Sequence, residues 1–552
     1  MSAAAVAAVC WTFWRRRDET LSIALFVTAS FLVTPYAFNY DMVVFGWVIA
    51  LLRERGGTVL DDRLAMLVWT LPVTTLIGLA GIPGSSLVLA AFAARLLWRL
   101  RRSAKQPRGL AGSPLRGLDF RSESAEGQGG RAAVLRIGCL GRTPRHPRCG
   151  GRQGTRAMVV RAGREFMAVP GPTTVPDDVL RAMHRAAIDI YSGPLLALTD
   201  SLLSDLRRLF ATSGRCYIYI ANGHGAWEAA LTNVLSRGDK VLVLESGRFA
   251  LSWGEAAAKL GVEMEILPGD WRRAVRPSEL EERLRADKAG TIKAVLVAHI
   301  DTASGVVNDI DAIGKAVKAA RHDALLMVDA VASLGCVPFE MDAWGVDVAM
   351  SGSQKGLMSP PGLGFVAVGP RAREAHAKAG LRTPYWDWTT RDGDIHYQKY
   401  AGTPPEHLMF ALRQALDMLF AEGLEKVFLR HRLLAEAVRR AVAVWSEGQA
   451  FSFNVAEAAE RSDTVTTVLM GEGGDPRALF DYCNSKCGVV LGVGIGALSG
   501  KAFRIAHMGH VNAPMILGIL GVVEVALEAL GIPHGKGGSQ AAIEWLGASV
   551  KA

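Results

Sequence analysis

The chain has 552 residues, half of them hydrophobic, with a formal net charge of +9 and seven cysteines. This length allows three or four domains, and the hydrophobic share is ample for a large buried core. Residues 1–102 hold ten basic and six acidic side chains and residues 103–157 eleven and three, so the remainder is net −3, which leaves no case for nucleic-acid binding by the main domain.

In chain order, residues 21–36, 42–52 and 64–82 are apolar runs, with a weaker one at 85–100. The third is about as long as a bilayer crossing requires. Arg15-Arg16-Arg17 and Arg99-Leu100-Arg101-Arg102 flank the set. A positive-inside reading puts both clusters in the cytoplasm with an even number of spans between them; a buried helical domain is the alternative. Residues 1–102 are therefore expected to be a transmembrane helical fragment, with membrane association through residues 21–100. Residues 34–41, Thr34-Pro35-Tyr36-Ala37-Phe38-Asn39-Tyr40-Asp41, resemble the last helices of polyprenol-phosphate-dependent membrane glycosyltransferases. The acidic N-terminal loops that carry catalysis in those enzymes are absent here, so this piece would be an inactive fragment.

Residues 103–157 are rich in Arg, Gly and Pro and have no hydrophobic period. Such a composition buries too little apolar surface to offset the entropy of ordering, so a disordered basic linker is expected. It reads as a joint between two genes, with Met158 as a native start for the C-terminal part.

Residues 158–552 alternate between strand and helix patterns. Strands are expected over 216–221, 240–245, 294–299, 324–329 and 346–350, and helices over 227–235, 251–260, 277–286 and 312–320. This order predicts an α/β fold with a mainly parallel sheet covered on both faces. Strand patterns at 464–469 and 503–507 predict a smaller α+β domain. The expected boundaries are 158–430 for a large domain with an N-terminal arm and 431–552 for the small one. Cys483 and Cys487 lack a second pair at ligand spacing, so no metal site is expected. An odd cysteine count without a framework fits a reducing, cytoplasmic setting for the globular part.

Three places carry chemistry. The apolar run before Asp329 and the run before Ser351-Gly352-Ser353-Gln354-Lys355-Gly356 both end at the strand edge where open α/β sheets bind ligands. A lysine on a loop is most often a solvated charge. An aspartate 26 residues earlier at a neighbouring strand end changes that reading: a carboxylate to hold a protonated pyridine nitrogen and a lysine to hold an aldehyde carbon are what pyridoxal phosphate requires of a protein. The third place is Asn222-Gly223-His224-Gly225, which opens a helix after a strand and offers backbone N–H groups to a phosphate.

Together with Pro170-Gly171-Pro172, His299 to Gly305, Asp329-Ala330-Val331-Ala332-Ser333 and Gly500-Lys501-Ala502-Phe503-Arg504-Ile505, these motifs resemble the class V branch of fold-type-I pyridoxal-phosphate enzymes. The likeness is strongest to alanine–glyoxylate and serine–glyoxylate aminotransferases. It implies that Lys355 is the Schiff-base lysine and proton carrier and that Asp329 keeps the pyridine nitrogen protonated. It also implies that Val331 and Phe249 pack on the two ring faces and that Thr302 lies near the phenolic oxygen. Gly223, His224 and Gln354 would bind phosphate, Tyr400 and Thr403 would reach the phosphate of a partner subunit in a homodimer, and Arg504 would grip the substrate carboxylate. Asn222, Thr302 and Asp301 depart from the residues most frequent at these places, where serine, serine and glutamate are common.

The implied function is ping-pong transamination from a small amino acid, serine or alanine, to glyoxylate or pyruvate. The alternatives are a 2-aminoethylphosphonate transaminase, a cysteine desulfurase or lyase, and a membrane protein with this domain as passenger. A desulfurase needs a histidine beside the lysine, and Gln354 stands there.

Overall fold

The structure is a computed structural model that describes residues 160–471 and 474–550. The expected membrane fragment and basic linker lie outside the described residues.

The strands in chain order are β1 (Phe166–Ala168), β2 (Arg215–Ala221), β3 (Lys240–Leu244), β4 (Glu263–Leu267), β5 (Ile292–Ala298), β6 (Ile300–Asp301), β7 (Val306–Val307), β8 (Leu325–Asp329), β9 (Val348–Gly352) and β10 (Gly362–Val368). They are followed by β11 (Phe451–Phe453), β12 (Val465–Met470), β13 (Val489–Val493) and β14 (Ala502–Ala506). Seven build the main sheet in the order β2-β10-β9-β8-β5-β3-β4. Pairing from β4 through β9 is parallel, and only β10 runs against its neighbours.

The central strands are apolar on both faces because both faces are covered. Val241, Val243, Ala294, Leu296, Leu325 and Met327 join one core with Trp227 and Trp253, from the helices Gly223–Val234 and Arg248–Lys259. The alternate residues Leu242, Leu244, Val295, Val297, Leu326 and Val328 join the opposite core. That core is closed by the helices Pro194–Phe210, Pro277–Ala286, Ile310–Ala319 and Glu406–Glu422. The period of two along each strand thus sorts its side chains between two separate cores.

Five strands form the second sheet, in the order β1-β13-β14-β12-β11. Among the described residues, this sheet therefore receives the first strand, β1, before the strands of the larger one follow. The helix Ala513–Leu530 is, among the described residues, the one helix long and apolar enough to cross a membrane. Its Ile516, Ile519, Leu520, Val523 and Leu527 are buried in the core of this sheet with Val489, Leu491, Phe503 and Ile505.

Two strands of the main sheet, β4 and β10, are absent from the sequence-based expectations. The Gly362-Leu363-Gly364 stretch reads as loop, yet it begins β10. Gly364 has no side chain, which lets the Asn222 carbonyl and Ala226 approach at 3.1 and 3.4 Å from where a Cβ would stand. The strand expected at 346–350 is displaced to Val348–Gly352, so Ser351 and Gly352 belong to β9 and Lys355 follows on the turn.

Gly314 lets the helix Ile310–Ala319 sit on the carbonyl of Trp344, which a Cβ would overlap. Gly314→Ala is expected to lower unfolding stability by about 1–3 kcal/mol despite the better helix propensity of alanine. Chemical denaturation followed by circular dichroism measures this, and an unchanged or raised midpoint would contradict the packing described.

Candidate active site

Register alone brings the chemistry together. Asp329 ends β8 opposite Ala298 of β5 on one side and Met350 of β9 on the other. The turn after β9 then carries Lys355, and the helix Gly223–Val234 begins directly beyond β2. All these points lie at the C-terminal edge of the parallel strands.

Between them is a cavity of about 300 Å³. Eight of the eleven residues expected from sequence border it: Gly223, His224, Phe249, Thr302, Asp329, Val331, Gln354 and Lys355. Asp329 is buried, and its carboxylate has two neutral donors. Trp227 Nε1–H donates to Oδ2 at 2.9 Å and the Val331 N–H donates to Oδ1 at 2.8 Å. Burial raises its pKa to about 6, and these two donors only partly offset that. Burial likewise lowers the Lys355 amine to about 8, with Arg504 adding to the shift and Asp329 opposing it. Lys355 Nζ donates to the Pro170 carbonyl.

The walls differ in character. Phe249 is half-buried and packs edge-on against Trp227, with ring centroids 6.4 Å apart. Val331 lies against Gly223, where a Cβ would come within 3.0 Å of the valine methyl. His224 is open to solvent on one side and has its ring against Trp227 at 4.5 Å on the other; that partial desolvation, followed by the charge of Lys355, lowers its pKa. Asn222 caps the helix, its Oδ1 accepting from the N–H groups of His224 (3.1 Å) and Gly225 (3.3 Å). An anion at this helix terminus therefore meets a capping side chain as well as free backbone.

The remaining three expected residues stand apart from the cavity lining. Arg504, on β14, is buried and reaches the cavity through Thr302, whose carbonyl accepts from Nη1 at 2.8 Å. Its Nε donates to the Val493 carbonyl, also at 2.8 Å. Burial lowers its pKa to about 10, so it remains cationic near neutral pH. The Tyr400 hydroxyl is buried and lies 2.8 Å from Thr199 Oγ1. Thr403 is exposed in the turn after Tyr400.

Sequence reasoning missed two residues that hold the site. Trp227 was read only as a helix member, although its position three residues after His224 places both on one helix face. Asp301 was noted only as a departure from a pattern.

Pyridoxal phosphate fits these residues. A buried carboxylate with no cation at hydrogen-bond distance suits a protonated ring nitrogen, and a depressed lysine suits an aldehyde. Phe249 and Val331 supply apolar walls to the cavity, which suits an aromatic ring. The Gln354 Oε1 is buried with no hydrogen-bond partner among the described residues, and rotation of that amide presents an N–H₂ donor at the same place. No cysteine lines the cavity among the described residues.

Fold and cavity together define a fold-type-I pyridoxal-phosphate enzyme. Residues 197–507 match the family Aminotransferase class-V. A serine–glyoxylate aminotransferase of Methylorubrum extorquens is 41% identical over 393 residues, 70% of this chain and 96% of that protein. One from Arabidopsis thaliana is 38% identical, over 69% of this chain and 94% of its own length. Among solved structures, an alanine–glyoxylate aminotransferase from Nostoc superposes with a TM-score of 0.61 at 27% identity, covering 69% of this chain and all of the other. The chain belongs to the class-V aminotransferases, and it is a pyridoxal-phosphate-dependent transaminase.

The cofactor-free protein offers a direct check on the site electrostatics. Modification of Lys355 by an amine-selective reagent, read by peptide mass spectrometry, should reach half its maximal rate near pH 8 instead of 10.5. In that window the unfolded chain binds more protons at this group, so stability at this site rises with pH between the two values. A midpoint at 10.5 would show that the amine is not desolvated as described.

Proposed function

We propose that the chain transfers the amino group of a small amino acid, serine or alanine, to glyoxylate or pyruvate at the cavity bordered by Asp329 and Lys355. That pairing of carboxylate and amine around one cavity is the observation that carries the reading. The names of the relatives support the substrate class.

Pyridoxal phosphate, when bound, supplies an aldehyde and a ring that takes up the electrons released at the substrate's α-carbon. Asp329 would hold a proton on the ring nitrogen, because its buried negative charge favours a cation beside it. Trp227 and Val331 fix that carboxylate in orientation. Lys355 Nζ would accept the proton from the substrate α-carbon and deliver it to the carbon that the cofactor's aldehyde supplies, and would run the transfer in reverse for the incoming oxo acid; a pKa near 8 is well matched to this at neutral pH. Phe249 and Val331 would give the ring apolar contact and shield it from water. Gly223, His224 and Gln354 bind the phosphate, and Thr302 orients the phenolic oxygen. Arg504 retains Nη2 and one Nη1 hydrogen for an end-on grip on the substrate carboxylate. One site serves both half-reactions, so the first oxo acid leaves before the second enters.

The desulfurase alternative is disfavoured by the cysteines. Cys336 and Cys483 are buried, and burial pushes each thiol up to about 12, away from the thiolate such chemistry needs.

We further infer a homodimer in which exposed Thr403 approaches the partner's phosphate, while Tyr400, expected from the sequence to do the same, is buried against Thr199 and anchors the turn that carries Thr403. The support is a set of exposed apolar residues beside these elements: Tyr191, Ile220, Tyr385, Ile395 and Tyr397. For residues 1–102 we propose the membrane-associating, glycosyltransferase-like fragment, joined by the basic linker to an enzyme of residues 158–430 and 431–552 that works in the cytoplasm. Peptide mass spectrometry of the native protein tests this, because an absence of any peptide before residue 158 would overturn it.

Reconstituted protein should show visible cofactor absorbance that Lys355→Ala abolishes. Asp329→Asn should keep binding but lose at least a hundredfold in kcat, since the ring nitrogen loses its counter-charge. A panel of serine, alanine, aspartate and 2-aminoethylphosphonate with glyoxylate or pyruvate decides the substrate. Turnover confined to the phosphonate would overturn the serine or alanine assignment. Sedimentation analysis should give a dimer that Ile395→Asp weakens, and a monomeric wild type would refute the shared site.

A further inference from the structure

Asp301, the last residue of β6, is wholly buried. Among the described residues, no cation lies at hydrogen-bond distance from it. Its Oδ2 accepts from the N–H groups of Phe249 (2.8 Å) and Ala250 (3.1 Å), and its Oδ1 accepts from the Ala303 N–H at 2.9 Å. Phe249 and Ala250 are in the first turn of the helix Arg248–Lys259, whose N-cap residue is Gly247 and has no side chain to satisfy them. A carboxylate from another loop does the capping instead, at the positive end of the helix dipole.

Gly247 completes the arrangement. Its φ of 168° is ordinary extended backbone, so the glycine is not there for conformation. It is there for space, because a Cβ at 247 would overlap the Asp301 carboxyl group. The charged groups that face Asp301 from other elements are Arg504 on β14, Asp329 on β8 and Lys355 beyond β9.

Two parts of the site are tied to this one side chain. Phe249, one wall of the cavity, has its backbone position set by Oδ2. Thr302, the next residue in the chain, borders the cavity and gives its carbonyl to Arg504. The turn that carries Thr302 is held by Oδ1 through Ala303, and the Asp301 carbonyl closes it by accepting from the Gly305 N–H at 2.8 Å.

We propose that Asp301 is a positioning residue that caps the helix Arg248–Lys259 from outside and so sets both Phe249 and the Thr302–Arg504 link against the cofactor cavity. This rests on the cavity being the pyridoxal-phosphate site. Asp301 touches no substrate. It acts through the two residues it places.

Asp301→Asn tests it, since the amide has one acceptor oxygen where three N–H groups converge from two sides. Its N–H₂ then meets a backbone donor at either Phe249 or Ala303. In the cofactor-free protein, hydrogen exchange in the peptide carrying Phe249 and Ala250 should accelerate about tenfold or more, while β3, β5 and β8 keep their protection. With pyridoxal phosphate added, its dissociation constant should rise roughly tenfold and the visible circular dichroism of the bound cofactor should change. KM for the amino acid should rise more than kcat falls, because the grip of Arg504 is displaced. In a Phe249→Ala background the same substitution should add little further loss of cofactor affinity.

Unchanged exchange at 249–250, an unaltered cofactor spectrum, or full additivity with Phe249→Ala would each overturn the proposal. Should Asp301→Asn fail to fold, Gly247→Ala presses on the carboxyl group from the helix side and must produce the same local exchange and spectral change; a wild-type result there overturns it equally. A wild-type protein with no visible cofactor band would instead refute the cofactor reading, and the exchange measurement on the cofactor-free protein would still decide the capping role.

Discussion

The buried carboxylate of Asp329 constrains everything around it. A charge at the end of a central strand, flanked by both neighbouring strands and covered by Trp227, meets solvent only through the cavity that it borders. Two neutral N–H donors hold its oxygens in place but do not balance its charge, and its pKa rises to about 6 in consequence. Such a group is costly unless a cation completes it. Lys355 lies close enough to feel it, yet the lysine is itself desolvated and drawn to the Pro170 carbonyl. Two half-satisfied groups of opposite sign on one cavity are poorly suited to an empty protein and well suited to a ligand with a basic nitrogen at one end and an aldehyde at the other.

The sheet is what allows this. Parallel strands end on one side, so side chains far apart in sequence meet at one edge without any loop having to bridge them. Covering both faces forces the strands to be apolar along their length, which leaves polar residues to appear only at the tips. Arg504 is the exception: it lies in the middle of β14 in the second sheet, and its buried charge is met by the Thr302 and Val493 carbonyls, the first of which brings it to the site.

Around that edge the aromatic residues serve as structure for the charges. Trp227 packs on Trp253 and Phe249 while its N–H points at Asp329. One indole therefore carries apolar packing and carboxylate orientation together. Asp301 plays the complementary part, using charge to place an aromatic. The site is thus coupled: a shift at the start of the helix Arg248–Lys259 is felt by a cavity wall and, through Thr302, by Arg504.

The residues legible in the sequence are those at which a periodic pattern stops. Asp329, Lys355 and the Gly223-His224 turn each come after an apolar run, so strand period and chain order were enough to place them at one sheet edge, and motif resemblance added Val331, Phe249 and Gln354. The strands β4 and β10 were not legible, because glutamates at 263 and 265 and glycines at 362 and 364 interrupt the apolar signal. Nor were the contacts that orient the chemistry. Trp227 meets Asp329 across 102 residues and Phe249 meets Asp301 across 52, separations at which no local period operates. Composition and periodicity determined the fold class and which side chains stand at the strand tips. Only tertiary structure decided which of them are desolvated and which donor each oxygen receives, because both depend on what packs above the sheet edge from distant parts of the chain.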